Sequence, residues 1–386
     1  MNELQRILQA FEQSQRAGKR AVLATVVQTC GSVYRRAGAR MLLTEDGQMV
    51  GAISGGCLEA DILERSRLLL AEGGDSILVR YDTTSSDDIV FGFGMGCNGI
   101  VDVLIESLNS DIAVGQLSFI QDCLNAQQPA AIATIFSVEG MPNVKVGDRL
   151  IIQSDTVMNN QIANADVAQI IALDLYKTLV EKQTRVQSYT LSSGQMDVLL
   201  EAIRPPVSLL VFGAGYDAIP VVQFAKHLGW HVTVIDHRPE QLTRDRFQEA
   251  DQLLCCIPDP PDAYQHLLTP QTVAVVMTHR YVSDLAFLKT LAPSQLRYLG
   301  VLGPKRRMQQ LWEDLAEQGV IPVPEQNRRL YNPVGLDIGA ETPEEIALSI
   351  VAEIQAVLGG RSAGFLRDRV GSIHSSSQQS CLELVS

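Results

Sequence analysis

Along the chain, short apolar runs alternate with stretches in which apolar residues return every three or four positions, and the two periods mark strands and helices. Leu4, Ile7, Leu8 and Phe11 recur at helical spacing among Glu, Gln and Arg, which predicts a helix over 3–17. Strand-sized runs follow at 21–28, 39–44, 48–53, 76–81 and 100–106, with a second helix at 57–72 and Asp46-Gly47 as a hairpin turn. From 110 to 200 the pattern reads helix, strands at 130–138 and 149–153, helix at 163–182, then strands at 184–190 and 196–203. This stretch is expected to pack on the same sheet as the segment before it, with a subdivision near 110 left open. No internal repeat is apparent.

The pattern breaks at Arg204-Pro205-Pro206, where two prolines remove two backbone donors and push Arg204 out of the helical region. Beyond it, strands at 208–212, 231–235, 252–255, 273–278 and 298–302 alternate with helical segments, the signature of a doubly wound parallel sheet. Thr342-Pro343-Glu344-Glu345 is a capping box, followed by the apolar face Ile346, Ile350, Val351, Ile354, Val357 and Leu358. The expected architecture is therefore α/β: a mixed α/β domain over 1–203, a Rossmann-like domain over 207–358, and a flexible tail over 359–386.

Composition narrows the classes. Apolar residues make up 46% of the 386 and charged residues 19%, which is globular rather than disordered. With 31 Lys plus Arg against 44 Asp plus Glu, the net charge of −13 argues against nucleic acid or an anionic membrane as partner. No apolar run approaches the ~20 residues that cross a bilayer. The N-terminal segment reads as a mature helix rather than a signal peptide, so a cytoplasmic protein is expected. Its seven cysteines, at 30, 57, 97, 123, 255, 256 and 381, are read as thiols, since an odd, widely spread set is unlike a disulfide framework.

Four turns carry candidate chemistry. After the strand at 208–212, Gly213-Ala214-Gly215-Tyr216-Asp217-Ala218 opens a helix, and Asp236 ends the next strand. In such a G-x-G-x-x-A turn the first glycine makes the bend, the second lets a pyrophosphate reach the backbone, and the acid accepts a ribose hydroxyl. Gly213, Gly215 and Asp236 are thus candidates for a nucleotide-type site, with His237, Arg238, Thr278, His279, Arg280 and Lys305-Arg306-Arg307 on the same rim. His279 alone reads as a packed or hydrogen-bonded histidine rather than a general base. In the first half, Ser54-Gly55-Gly56-Cys57-Leu58-Glu59 places a thiol at a helix start, where free N–H groups and the helix dipole would favour the thiolate. Gly94-Met95-Gly96-Cys97-Asn98-Gly99 repeats a thiol within a glycine turn, and the two cysteines lack the short-spaced partners of a zinc site. Thr29-Cys30-Gly31-Ser32-Val33-Tyr34-Arg35-Arg36 adds a Gly-Ser turn with two cations that could pair with a phosphate.

Several long segments, in order, resemble the XdhC/CoxI family of accessory proteins for molybdenum hydroxylases such as xanthine dehydrogenase. They are ATVVQTCGSVYRRAGARMLLTEDG, GAISGGCLEADI and GMGCNGIVDVLIE in the first half, then VFGAGYDAIPVVQFAKHLGWHVTVIDHRP, VVMTHRYVSDLAFLKTL, RYLGVLGPKRR and PVGLDIGAETPEEIALSIVAEI. The chain departs from the family at Tyr34, Tyr216 and Asn98, where Pro, His and Gly are usual. The resemblance implies binding of molybdenum cofactor, its protection during sulfuration, and delivery to an apo molybdenum hydroxylase, with a cysteine desulfurase as a further partner and a homodimer as the assembly. It carries Gly55, Gly56, Cys57, Glu59, Gly96 and Cys97 over as cofactor contacts, and Gly213, Gly215 and Asp236 as a nucleotide-type site. No catalytic residue and no resident metal ion is implied. The competing class is an NAD(P)-dependent oxidoreductase on the same Rossmann half, against which the first half offers no Tyr-x-x-x-Lys or His–carboxylate constellation.

Overall fold

The computed structural model describes residues 3–31, 33–82, 99–109, 111–154, 156–320 and 328–370. They form two compact units that part at Pro205 and Pro206. The first begins with helix α1 (Glu3–Arg16) and strands β1 (Ala21–Gly31), β2 (Arg40–Thr44) and β3 (Met49–Gly51), then helix α2 (Glu59–Glu72) and strands β4 (Ser76–Asp82) and β5 (Gly99–Ser107). The same order follows again: helix α3 (Asp111–Asn125), strands β6 (Ala130–Glu139), β7 (Arg149–Gln153) and β8 (Thr156–Asn160), helix α4 (Ala165–Glu181), and strands β9 (Arg185–Leu191) and β10 (Gly194–Ile203).

The segment from 110 to 200 does not join the first sheet. It builds its own antiparallel sheet, in the order β8-β7-β6-β10-β9, beside a first sheet of order β3-β2-β1-β5-β4. The expectation of a single sheet and of no repeat is corrected: the unit is two copies of one topology. The registers match residue by residue. Thr25 faces Arg40 across β1 and β2, and Thr134 faces Arg149 across β6 and β7. Leu23 faces Glu106, and Ile132 faces Glu201. Val27 is passed over at a bulge between β1 and β5, and Phe136 at a bulge between β6 and β10. These two bulged side chains meet in one buried cluster with Leu104 and Leu199, which face Thr25 and Thr134 in the two registers.

The copies are joined by exchange. Arg40 of the first copy forms a bidentate ion pair with Glu201 of the second, and Arg149 of the second pairs with Glu106 of the first. Both pairs are buried, with exposures of 4% and 7% in one and 2% and 5% in the other. Each arginine also donates to a glycine carbonyl two residues earlier, Gly38 or Gly147. Helices α1 and α3 share an apolar cluster holding Ile7, Leu8, Phe11, Leu117, Ile120 and Leu124, whereas α2 and α4 each cover the sheet of their own copy. Apart from Gly-x-Arg at 38–40 and 147–149, few identical residues survive to betray the duplication.

The second unit is a parallel sheet of six strands in the order β13-β12-β11-β14-β15-β16, made of β11 (Ser208–Phe212), β12 (His231–Asp236), β13 (Gln252–Cys255), β14 (Val273–Val276), β15 (Tyr298–Val301) and β16 (Leu330–Tyr331). This is the doubly wound order expected of a Rossmann domain. Helices α5 (Ala218–His227) and α8 (Pro343–Leu358) pack on the face carrying Leu209, Val211, Val273 and Val275, and α6 (Tyr281–Leu291) and α7 (Lys305–Glu317) on the face carrying Leu210, Phe212, Ala274 and Val276. Strand alternation thus sends successive residues into two cores. The capping box forms as expected, with Thr342 Oγ1 accepting from Glu345 N and Glu345 Oε2 accepting from Thr342 N. After β13 the chain makes short 3-10 turns at Pro261–Ala263 and Gln265–Leu267 in place of a full helix.

Candidate functional site

In the first unit, the strand-to-helix turn between β3 and α2 is built around Ser54. Its hydroxyl accepts from the backbone N–H groups of Gly56, Cys57 and Leu58, each at 3.1 Å. Glu59 holds the serine in place: Oε1 accepts from Ile53 N and Ser54 N, and Oε2 accepts from Ser54 Oγ. Burial works against the Glu59 charge, but the donors of Ser54 and the surrounding backbone outweigh it and hold its carboxyl below the ordinary range. The backbone donors of Gly56, Cys57 and Leu58 are therefore committed to Ser54, and Glu59 positions the turn. What the turn presents outward is different. Gly55, Gly56 and Cys57 are all exposed. Gly56 has φ +113°, and a side chain there would meet nothing within 4 Å. The nearest group to a side chain at Gly55 is the ring of Tyr34, 3.9 Å away and itself 72% exposed.

The structure thus brings together the Gly-Ser turn and the Cys57 turn, which sequence treated separately. Arg35 is not available for a phosphate, because it pairs with Glu3, whose Oε1 also accepts from Ala52 N. Gly96 and Cys97, with Asn98, lie outside the described residues. Cys30 is disulfide-bonded, so the reading of every cysteine as a thiol is corrected there. Such a bond depends on proximity in space, which the linear spacing of cysteines does not reveal. Cys57 and Cys255 are exposed thiols, Cys123 is buried and Cys256 is half-buried. Burial, and then Asp122, pushes Cys123 up to about 11; burial, and then Cys255 and Asp236, does the same for Cys256.

In the second unit, the carboxyl ends of β11, β12 and β14 gather the rim residues read from sequence. Gly213, at φ +120°, lies so close to β14 that an added Cβ would fall 2.6 Å from the Met277 carbonyl oxygen. Asp236 is 2% exposed and fully engaged. It accepts four hydrogen bonds, from Ala214 N at 2.7 Å and from Arg238 N, Nε and Nη2 at 2.9, 3.0 and 2.8 Å. Burial opposes its charge, but Arg238 and the backbone donors hold its carboxyl below the ordinary range. His237 bridges from Asp236 Oδ1, 3.3 Å from its Nδ1, to Arg280, whose Nη1 is 3.0 Å from Nε2.

Asp217 stands at the N-cap of α5 yet makes no capping bond. Its carboxylate instead meets His279 Nε2 at 2.7 Å. His279 holds a left-handed backbone, φ +59°, uncommon for a residue with a side chain. Behind it, buried Asp284 accepts from Thr278 Oγ1 and Arg307 Nη1 and ties β14 to the start of α7. Asp217 was the residue that sequence missed as a site member. Its place one residue before the helix was visible, but its cross-sheet partner was not.

Comparison with known proteins gives a consistent result across the chain. The family model described as the XdhC Rossmann domain matches residues 209–354, and that described as the XdhC and CoxI family matches 14–82. The chain is 34% identical over 337 residues to a Bacillus subtilis (strain 168) protein named as a probable xanthine dehydrogenase subunit, covering 86% of this chain and 92% of that protein. It is 22% identical over 341 residues to the "Molybdenum cofactor insertion chaperone PaoD" of Escherichia coli (strain K12), covering 88% and 84%. A crystal structure of a xanthine dehydrogenase from Bacillus halodurans superposes with a TM-score of 0.73 at 29% identity, covering 94% of this chain and 97% of that one.

Proposed function

The chain belongs to the XdhC/CoxI family, and from that premise we propose that it is an accessory factor that binds molybdenum cofactor, protects it during sulfuration and delivers it to an apo molybdenum hydroxylase. The observation that carries this reading is the end-to-end similarity to a protein named as a molybdenum cofactor insertion chaperone. The chain's own residues fit the ligand at the Cys57 turn. Molybdenum cofactor combines a soft, sulfur-ligated metal with a flat pterin and a phosphate, and it supplies the redox centre of the client enzyme. Cys57 offers a soft donor in an exposed position, Gly55 and Gly56 leave the turn open to a planar ligand, and Tyr34 offers a ring face beside it. Ser54 and Glu59 hold the turn rigid, so its shape exists before the ligand arrives. Cys97 and Gly96 complete the proposed contacts. The further partners are a cysteine desulfurase and a second copy of the chain, and the factor has no turnover of its own on purines or aldehydes.

The test is metal and pterin content of protein purified from a molybdenum-replete host, followed by activation of an apo-hydroxylase. Wild type and Cys123→Ser should carry stoichiometric molybdenum and pterin, while Cys57→Ser, equally folded, should lose both. Cofactor retention and client activation by Cys57→Ser at the wild-type level would remove Cys57 from the site. Substrate-dependent reduction of NAD(P) by the pure protein would replace the whole reading with the oxidoreductase.

A further inference from the structure

The second unit carries a dinucleotide fingerprint whose three key positions are each engaged by the protein itself. In an NAD-type turn, the second glycine leaves its Cβ direction open so that the pyrophosphate can touch the backbone, and the strand-end acid accepts the ribose hydroxyls. At Gly215 that direction is filled: a Cβ would fall 2.5 Å from Asp217 Oδ1 and 3.6 Å from His279 Cδ2. A carboxylate therefore stands where the anionic pyrophosphate would come, held by His279 at 2.7 Å. At the strand end, a carboxylate offers about four acceptor positions, and Ala214 N with three donors of Arg238 takes that many at Asp236. No acceptor remains for a ribose diol.

We propose that Asp217 and Arg238 are specificity-determining residues that close this Rossmann turn to NAD-type dinucleotides, Asp217 by occupying the pyrophosphate position over Gly215 and Arg238 by saturating Asp236. The two glycines then have internal reasons to be glycine. Gly213 lets β11 approach Met277 and Thr278, and Gly215 admits the Asp217–His279 pair. The inference is independent of the accessory role proposed above, since a factor that carries molybdenum cofactor at the Cys57 turn needs no nicotinamide.

The experiment titrates the full-length protein with NADH and with NADPH, each followed by calorimetry and nicotinamide fluorescence. Wild type should give no saturable binding to either. Asp217→Ala opens the pyrophosphate position but leaves Arg238, whose guanidinium can leave Asp236 for a ribose 2′-phosphate, so NADPH should be admitted ahead of NADH. Asp217→Ala with Arg238→Ala frees Asp236 for the diol, so NADH should gain about tenfold or more over wild type and overtake NADPH. Tryptophan fluorescence checks folding, because Trp230 and Trp312 both lie in this unit. If the alanine variants unfold, Asp217→Ser with Arg238→Ser shortens both side chains while keeping a polar group at each position, and the same gain is required of it. Saturable micromolar binding of NADH or NADPH by wild type overturns the proposal, as does the absence of any gain in folded variants. Molybdenum and pterin content of the same preparations reads the accessory role separately.

Discussion

Replacing Arg40 by alanine leaves the Glu201 carboxylate buried without its counter-ion, because both side chains are sealed between the two copies of the first unit. Burial opposes the Arg40 charge, yet attraction and hydrogen bonding from Glu201, with Glu106 behind, raise its pKa above normal, so Arg40 keeps its charge in the fold. Removing one member of such a pair costs about 3–5 kcal/mol. In a unit of roughly 200 residues each kcal/mol moves the midpoint by about 2–4 °C, so the first unit should melt about 6–20 °C lower. Arg40→Met with Glu201→Leu removes both charges and keeps the volume, and should return to within about 1 kcal/mol of wild type or exceed it. Far-UV circular dichroism follows the melt, and tryptophan fluorescence supplies a control that reads the second unit alone. The reasoning fails if the single variant shifts by less than about 2 °C, or if the double variant is as unstable as the single.

Gly213→Ala would force a Cβ to 2.6 Å from the Met277 oxygen at a backbone angle suited to glycine, and should destabilise the second unit by about 2 kcal/mol or more in tryptophan-detected urea unfolding; an unchanged midpoint would contradict the close approach of β11 and β14. Among the described thiols, maleimide at neutral pH should label the exposed Cys57 and Cys255 first and reach Cys123 only on unfolding, as read by peptide mass spectrometry. Asp236 has a lowered pKa in the fold, so its contribution is complete above the ordinary carboxylate range and fades as pH falls through the lower folded value. Asp236→Asn should therefore flatten the stability profile below about pH 4, and an unaltered acid slope would count against the Arg238 latch.

Much of the second unit was legible because its central parallel strands are continuous apolar runs bounded by turn residues, as at 208–212 and 273–276. The capping box at Thr342 was legible because it is a local interaction within four residues. β16, two residues long, carries too little sequence to register as a strand. The duplication was hidden for a different reason: a β-sheet core accepts any apolar residue of suitable size, so Val27 and Phe136 can fill matching bulges without resembling one another. Candidate site residues were identified by type, but their roles were not. Whether Asp236 faces a ribose or an arginine depends on the rotamer of Arg238, and whether the Cys57 turn has free donors depends on where Ser54 points.

The duplication also sharpens the case for the Cys57 turn, because the second copy is a control on what folding alone requires. Both copies need a strand-to-helix entry at the same place, before α2 and before α4. In the second copy the entry is an ordinary cap: Asn164 Oδ1 accepts from Asp166 N and Val167 N, with no cysteine and no glycine pair. In the first copy no side chain caps α2; Ser54 instead accepts from the three residues before the helix, Gly56, Cys57 and Leu58, and Gly55, Gly56 and Cys57 are exposed. The elements shared by the copies, the Gly-x-Arg corners and their glutamate partners, are accounted for by the exchange of ion pairs that joins them. The glycine pair and the thiol are not. A residue set that one copy keeps and its structural twin does without answers to something other than the fold, which is why the ligand is proposed to sit there.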